Sequence, residues 1–138
     1  MAKLSMDEFA EYVRRVLETL PDLLKPHVQN LVVDVENEVD ASTRKRLDLA
    51  DNEDLFGLYI PFPIDQMNLD WNEKADRLVI YRRPHIEAFA SRQRVLIEVR
   101  KTVIHELAHH FGYTDKDLEA FDRKNNPFPD SLKEQPHE

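Results

Sequence analysis

The feature that most constrains this chain is one long helical pattern in its last third. From about Ala90 to Phe111, apolar residues recur at spacings of three and four, which predicts an amphipathic helix. Its apolar side carries Leu96, Ile97, Val103, Ile104, Leu107 and Phe111. Gly112, one of only two glycines in the 138 residues, comes directly after this pattern, so we expect the helix to end there in a left-handed residue. A fold built on this helix must bury its apolar side and leaves the opposite side available.

Shorter segments add two helices and three strands to this picture. Ser5 and Glu8 fit a capping box that begins a first helix, which Pro21 ends. Thr114, with Asp117 three residues later, is predicted to cap a short last helix. The apolar segments predicted as strands are residues 31–35, 55–60 and 78–81, with a charged loop and one helical turn over residues 37–54. The order α-β-β-β-α-α is typical of an α+β domain.

Length and composition indicate one domain and exclude several kinds of partner. We expect a single domain over residues 1–126 and a flexible tail, rich in proline, over residues 127–138. A formal charge of −8 opposes binding to nucleic acid. No apolar stretch approaches the roughly 18 residues of a membrane span, and no secretory signal begins the chain, so we expect a cytoplasmic protein without a membrane partner. The absence of cysteine excludes disulfides and thiolate metal sites.

The polar side of the long helix carries a pattern typical of zinc sites. His105 and His109 lie one turn apart, so both imidazoles can face a single metal ion. Glu106 is rotated by about 100° from His105 and can reach a water molecule bound to that metal, which makes it a candidate general base. Glu98 and Thr102 share this side of the helix. The histidines therefore face away from the apolar side, which argues against buried core histidines.

A catalytic zinc site needs a third protein ligand, because this helix supplies only two. Gly112 permits a turn, and Asp115, three residues later, could return to the metal. Glu119, one turn further along the next helix, is the alternative ligand. A simpler interpretation also stays open, in which the histidines lie on a solvated helix face and Asp115 only favours the N-terminus of the next helix.

The complete pattern, HExxHxxGxxD over residues 105–115, resembles the small bacterial zincin-like metallopeptidases, the minimal zincins. Residues 54–59, 76–82 and 98–104 are also similar to that family. The resemblance implies a small mixed sheet packed against an N-terminal helix and the long metal-site helix, with an edge strand along a groove above the metal. It implies that His105, His109 and Asp115 bind Zn²⁺ and that Glu106 is the general base. A peptide or protein substrate would then pair with the edge strand, which we expect to be Leu78–Tyr81.

These observations favour a zinc-dependent metallopeptidase that hydrolyses peptide or amide bonds. The alternative is a non-catalytic zincin scaffold that acts as a metal-stabilised peptide-binding module, but a scaffold has no need of the base that Glu106 offers. A metal-dependent nuclease of similar size would carry three histidines at wider spacing and no such glutamate. The other candidates are given structural roles: an exposed loop for His85, packing for His110, Tyr81 and Tyr113, and solvated charges for Arg82 and Arg83.

Overall fold

The computed structural model describes residues 1–62 and 75–128, which form a mixed α+β fold, as the sequence predicted. The helices in these ranges are α1 (Met6–Leu17), α2 (Ala41–Arg46), α3 (Arg82–Ala88), α4 (Arg92–His110) and α5 (Asp115–Arg123). The strands are β1 (Leu31–Glu36), β2 (Gly57–Ile60) and β3 (Asp76–Tyr81), and a 3₁₀ turn spans Lys25–Val28. The long predicted helix is α4.

Local hydrogen bonds explain where the helices begin and end. Before α1, the Ser5 hydroxyl accepts from the Glu8 backbone N–H, and the Glu8 carboxylate accepts from the Ser5 N–H at 2.9 Å. Thr114 and Asp117 form the same reciprocal pair before α5. Gly112, just beyond α4, has a φ of 80°, the left-handed conformation that only glycine adopts without strain. All three predicted helix boundaries are confirmed.

The sheet has the strand order β1-β3-β2, with β1 parallel and β2 antiparallel to β3. The predicted edge strand Leu78–Tyr81 therefore lies in the centre, and that prediction is wrong. The resemblance implied it, and a proline soon after the strand, Pro84, is compatible with a strand near a sheet edge. Pro84 instead lies in the first turn of α3, where the N–H that proline lacks has no helical partner. Its presence therefore does not indicate a sheet edge. Within the described residues, β2 pairs only with β3 and is the edge strand next to α4.

The central strand separates two apolar clusters. Leu78 and Ile80 face the main core, where α1, α4 and α5 pack on one face of the sheet. Val79 and Tyr81 face the smaller cluster on the opposite side. Phe128 is only 7% exposed and packs against the main core. The domain boundary at residue 126 stays a prediction. The predicted tail from residue 129 onward lies outside the described residues.

The helices of the described ranges include none with both the length and the apolar content needed to cross a membrane. The longest, α4, has 19 residues, but one of its sides is polar and charged.

The most deeply buried cation is Arg100, in the middle of α4, which is 2% exposed. Its guanidinium donates to the carbonyl oxygen of Thr19, just after α1, at 2.9 Å. It also donates to the carbonyl oxygens of Asp122 at 2.9 Å and Lys124 at 2.5 Å, at the end of α5. These carbonyls have no partner within their own helices, because the last turn of a helix leaves its acceptors unpaired. Arg100 thus joins the ends of α1 and α5 to the centre of α4.

We expect Arg100→Met to lower the free energy of unfolding by roughly 3 kcal/mol, because methionine fills part of the space but removes the donors that Arg100 gives to part-buried carbonyl oxygens. Urea denaturation would measure this loss. Arg92→Met, on the same helix, removes an exposed ion pair with Glu8 and should change the free energy by less than about 1 kcal/mol. Equal effects of the two substitutions would contradict the anchoring role.

Candidate metal centre

A cavity of about 300 Å³ lies on the polar side of α4. Its lining residues are Phe56, Phe89, Glu98, Lys101, Thr102, His105, Glu106 and His109. Two aromatic rings form one wall, and the side chains of the HExxH pattern form another. The structure therefore brings three of the four predicted site residues, His105, Glu106 and His109, to one cavity.

The two histidines lie on the same side of α4. Their ring centroids are 6.5 Å apart, and the rings are tilted by 50°. His105 is partly buried, with 38% of its side chain exposed, whereas His109 is exposed. Both imidazoles thus line the same cavity.

Glu106 lies deeper in the cavity than the two histidines. Burial raises the pKa of its carboxyl group above the ordinary value. Three groups lower this pKa, because each favours the charged carboxylate: the imidazoles of His109 and His105 and the backbone N–H of Tyr59. The carboxylate therefore lies between the histidines and β2.

The edge strand β2 approaches α4 closely because residue 57 is glycine. A Cβ atom at Gly57 would lie 2.9 Å from Cγ2 of Thr102 and 3.3 Å from Cγ of Glu106. The carbonyl oxygen of Phe56 accepts from the Tyr81 N–H, so these two residues form a hydrogen-bonded pair between β2 and β3. Bonded and non-bonded pairs alternate along antiparallel strands, so the backbone groups of Gly57 and Tyr59 point away from β3. This outward edge of β2 is the one that faces Glu106.

The predicted third ligand does not lie at the cavity. Asp115 is the first residue of α5, where it is exposed, and its place in the first turn suits the helix dipole. The alternative ligand, Glu119, is also exposed. Within residues 1–62 and 75–128, no three His, Cys, Asp or Glu side chains lie close enough together to hold a metal ion. The assignment of Asp115 as a ligand stays a prediction.

Asp122, an acidic residue that contacts the HExxH pattern, was not among the predicted site residues. Its carboxylate oxygens lie 3.2 and 3.3 Å from Nε2 of His105. The available signal was helical spacing: Asp115, Glu119 and Asp122 occur at i, i+4 and i+7, so they share one face of α5. Only Asp122, the acid furthest along the chain from the turn at Gly112, lies beside His105.

His85 is completely buried, so its predicted position in an exposed loop is wrong. The segment after Pro84 continues α3 and does not form a loop, which turns His85 inward between the rings of Phe9 and Phe56. Its Nδ1 lies 2.7 Å from the Tyr81 carbonyl oxygen, so Nδ1 carries the proton and donates. Its Nε2 then accepts from the Thr102 hydroxyl at 2.8 Å. His85 thereby holds a side chain of the cavity wall.

The remaining candidates make structural contacts with specific partners, although Arg82 is half-buried and is not the solvated charge that was expected. His110 stacks on Tyr59, with ring centroids 3.7 Å apart. Tyr113 packs edge-on against Phe121, and its hydroxyl lies 3.2 Å from His27. Tyr81 is buried in the smaller cluster, away from the cavity. Arg82 donates to the Leu4 carbonyl oxygen, and Arg83 forms ion pairs with Glu38 and Glu87.

Comparison with known proteins assigns this fold to a family. The model of the zincin-like metallopeptidase family matches residues 28–124, which include all three strands, the cavity and α5. The chain belongs to this family. A solved structure of a conserved hypothetical protein from Thermo thermophilus is similar to this zincin-like chain, with a TM-score of 0.54 and 21% sequence identity. The similarity covers 84% of this chain and 98% of the other, and it concerns the fold alone. No curated protein matches the sequence significantly.

The two imidazoles of this cavity fit the zinc that the family implies, because imidazole nitrogen is a ligand that zinc accepts and the cavity leaves space for further ligands. His105 and His109 would hold the metal from α4, and Glu106 lines the same cavity. The third ligand must come from outside α4.

We expect Gly57→Ala to lower stability and to displace Glu106, because the added methyl group would force β2 away from Thr102 and Glu106. Overpacking of this kind costs about 1–3 kcal/mol. Gly112→Ala is the matched control: its Cβ would meet nothing within 4 Å, but the left-handed φ of 80° should cost about 1 kcal/mol. Urea denaturation would measure the loss of stability in both variants. The fluorescence of a probe bound in the cavity would then differ from wild type in Gly57→Ala, where the wall is displaced, and would match it in Gly112→Ala, where only backbone strain is added.

The buried His85 should make the fold sensitive to acid. Burial lowers the pKa of His85 from 6.5 to about 4 in the folded chain. Above pH 6.5 the imidazole is neutral in both states, whereas between pH 6.5 and 4 only the unfolded chain takes up the proton. Stability should therefore fall as the pH drops through this window, by about 3 kcal/mol in total.

Urea denaturation at several pH values would measure this slope. His85→Gln should be less stable at neutral pH and should show a flatter pH dependence between 6.5 and 4. Ile86→Val, a neighbouring buried substitution without a titratable group, should lower stability and keep the wild-type slope. An unchanged slope in His85→Gln would show that other groups cause the acid sensitivity.

Proposed function

We propose that this protein is a zinc-dependent metallopeptidase that hydrolyses peptide or amide bonds. The observation that carries the proposal is that His105, Glu106 and His109 line one cavity beside the outward edge of β2. A catalytic site of this class needs two metal-binding imidazoles, a base beside them and an extended backbone to align the substrate. The family assignment supports the same reaction class.

The chemistry divides between the metal and Glu106. When bound, zinc supplies a positive charge that polarises a carbonyl oxygen and makes a water molecule easier to deprotonate. The Glu106 carboxylate takes a proton from the attacking water and then delivers it to the amine nitrogen that leaves, so the peptide bond breaks without a free amide anion. The Tyr59 N–H and the close packing of Gly57 keep this carboxylate in one position.

The proposed substrate path follows β2, which replaces Leu78–Tyr81 in this role. The outward backbone groups of Gly57 and the carbonyl oxygen of Tyr59 offer hydrogen bonds to an extended peptide, while the Tyr59 N–H stays with Glu106. The rings of Phe56 and Phe89, 6.1 Å apart, form an apolar wall beside the histidines. We therefore expect a preference for an apolar side chain next to the cleaved bond. A cytoplasmic location stays a prediction.

Zinc content and cleavage of a peptide library, with and without chelator, would test this function. We expect Glu106→Gln to reduce hydrolysis by at least about 10²-fold, because glutamine keeps the shape of the side chain but cannot take the proton. Zinc binding should be unchanged. Glu87→Gln, on the surface of α3, is the control that should keep full activity.

The same experiment separates the two functions that the sequence left open. Full activity in Glu106→Gln would remove this residue from the mechanism. Zinc and peptide binding without any cleavage in the wild type would favour the non-catalytic peptide-binding module. Loss of zinc in Glu106→Gln would show that Glu106 is a ligand and not a base.

A further inference from the structure

The candidate cavity extends along α4 well beyond the two histidines. Its lining includes Glu98 and Lys101, which lie seven and four residues before His105 and therefore on the same side of the helix. At about 1.5 Å per residue, Glu98 is about 10 Å from the level of His105 along the helix axis. Neither side chain has a role in the chemistry proposed above. The part of the cavity formed by Glu98 and Lys101 is called the distal end.

The strand β2 follows α4 in the same direction along the cavity. Gly57 lies against Thr102, and Tyr59, two residues later, stacks on His110. Phe56 comes before Gly57, so its ring lines the cavity toward the distal end. An extended peptide on the outward edge of β2 would therefore run from the histidines to the distal end.

The ion pairs at the distal end join one carboxylate to two cations. Oε2 of Glu98 lies 2.9 Å from a guanidinium nitrogen of Arg94 and 3.6 Å from Nζ of Lys101. Arg94 is also held against the cavity wall, because its guanidinium carbon lies 6.0 Å from the centre of the Phe89 ring. These three charged side chains therefore have an excess of one positive charge, in a chain whose formal charge is −8.

Of the two cations, Lys101 is the one that can bind a ligand. Arg94 is within hydrogen-bond distance of Glu98, whereas 3.6 Å is longer than a hydrogen bond from an ammonium group. Within the part of the chain that the structure describes, Lys101 pairs with no other acid. Its side chain lines the cavity and is 29% exposed, against 14% for Glu98. Lys101 can therefore donate to a group of the substrate while Arg94 neutralises Glu98.

We propose that Lys101 binds a carboxylate of the substrate, so that this protein selects peptides with a negative charge near the cleaved bond. The inference rests on the proposed function, because it assumes that a peptide lies along β2 with its scissile carbonyl group at His105 and His109. Lys101 precedes the midpoint of these histidines by six residues, or about 9 Å along α4. An extended peptide covers that distance in about two to three residues, at about 3.3 Å each. The carboxylate is therefore an acidic side chain or a free C-terminus at that separation from the cleaved bond.

Electrostatics disfavours the opposite choice, a basic substrate side chain bound by Glu98. The Glu98 carboxylate is already paired with two cations, and both would repel a third positive charge. The overall negative charge of the chain opposes acidic peptides at long range, but physiological salt screens exposed charges beyond about 8 Å. The nearby ammonium group of Lys101 therefore decides which charge the distal end accepts.

The test measures peptide binding and peptide cleavage separately. Fluorescein-labelled peptides with blocked ends would carry one central phenylalanine and either glutamate, glutamine or lysine at each neighbouring position in turn. Fluorescence anisotropy would give their affinity for the zinc-loaded Glu106→Gln variant, which should not cleave them, and steady-state kinetics would give KM and kcat in the wild type. We expect glutamate to bind roughly tenfold more tightly than glutamine at one position, two or three residues from the phenylalanine. Peptides with free and amidated C-termini would separate a terminal carboxylate from an acidic side chain.

Lys101→Met should abolish this preference and raise KM for the glutamate peptide about tenfold without a change in kcat, because the lost contact is remote from the cleaved bond. Lys101→Glu should reverse the preference toward lysine. Lys45→Met is the matched control, because Lys45 is exposed on α2, which is flanked by residues of the smaller cluster on the opposite side of the sheet. Glu98 keeps Arg94 as a partner in Lys101→Met, so thermal unfolding should match the wild type.

Equal affinity for the glutamate and glutamine peptides, with free and amidated C-termini also equal, would overturn the proposal. It would also fail if Lys101→Met and Lys45→Met lost the same affinity, or if the cavity preferred lysine and Glu98→Gln removed that preference. Cleavage without any charge preference would leave the proposed function standing and overturn this inference. The charge preference without any cleavage would overturn the proposed function and support the binding of a carboxylate at Lys101.

Discussion

The contact on which the rest of the structure depends is the buried guanidinium of Arg100. It satisfies carbonyl oxygens at the ends of two helices that pack against α4. Arginine suits this position because its planar group offers five donors in fixed directions, and because it stays charged at any pH at which the protein folds. Through this one residue, the position of α5 follows that of α4, and so does the position of Asp122 beside His105.

The helix α4 therefore serves the core and the candidate site at once. Its apolar side is buried under α1 and the sheet, and its polar side forms the floor of the cavity. The cavity needs a second wall, which β2 supplies only because Gly57 lets the strand approach Thr102 and Glu106. His85 supports the same wall from behind through the Thr102 hydroxyl. Small changes in the packing of either support would thus alter the position of Glu106.

Local patterns were sufficient to predict α1, α4 and α5 and the placement of the two histidines on α4, but not α3. The capping pairs at Ser5 and Thr114 and the turn at Gly112 depend on residues within a few positions of one another. The sheet order and the surroundings of His85 could not be predicted in this way, because they depend on contacts between distant segments. The proline after β3 was compatible with a strand at an edge and with a helix start, and only the fold decides between them. The acid nearest in sequence to the histidines was likewise not the nearest in space.

The strand order has a consequence for how the chain folds during synthesis. β3 leaves the ribosome after β1 and β2, yet it lies between them, so neither of the earlier strands has its neighbour until β3 is made. The apolar side of α1 stays uncovered for longer, because α4 covers it and is made much later. α1 ends at Leu17, whereas α4 begins only at Arg92. The contacts that join the sheet and cover α1 are therefore non-local, and contacts of this kind form slowly. The nascent chain must keep α1 and two unpaired strands from associating with other chains until its last helices emerge.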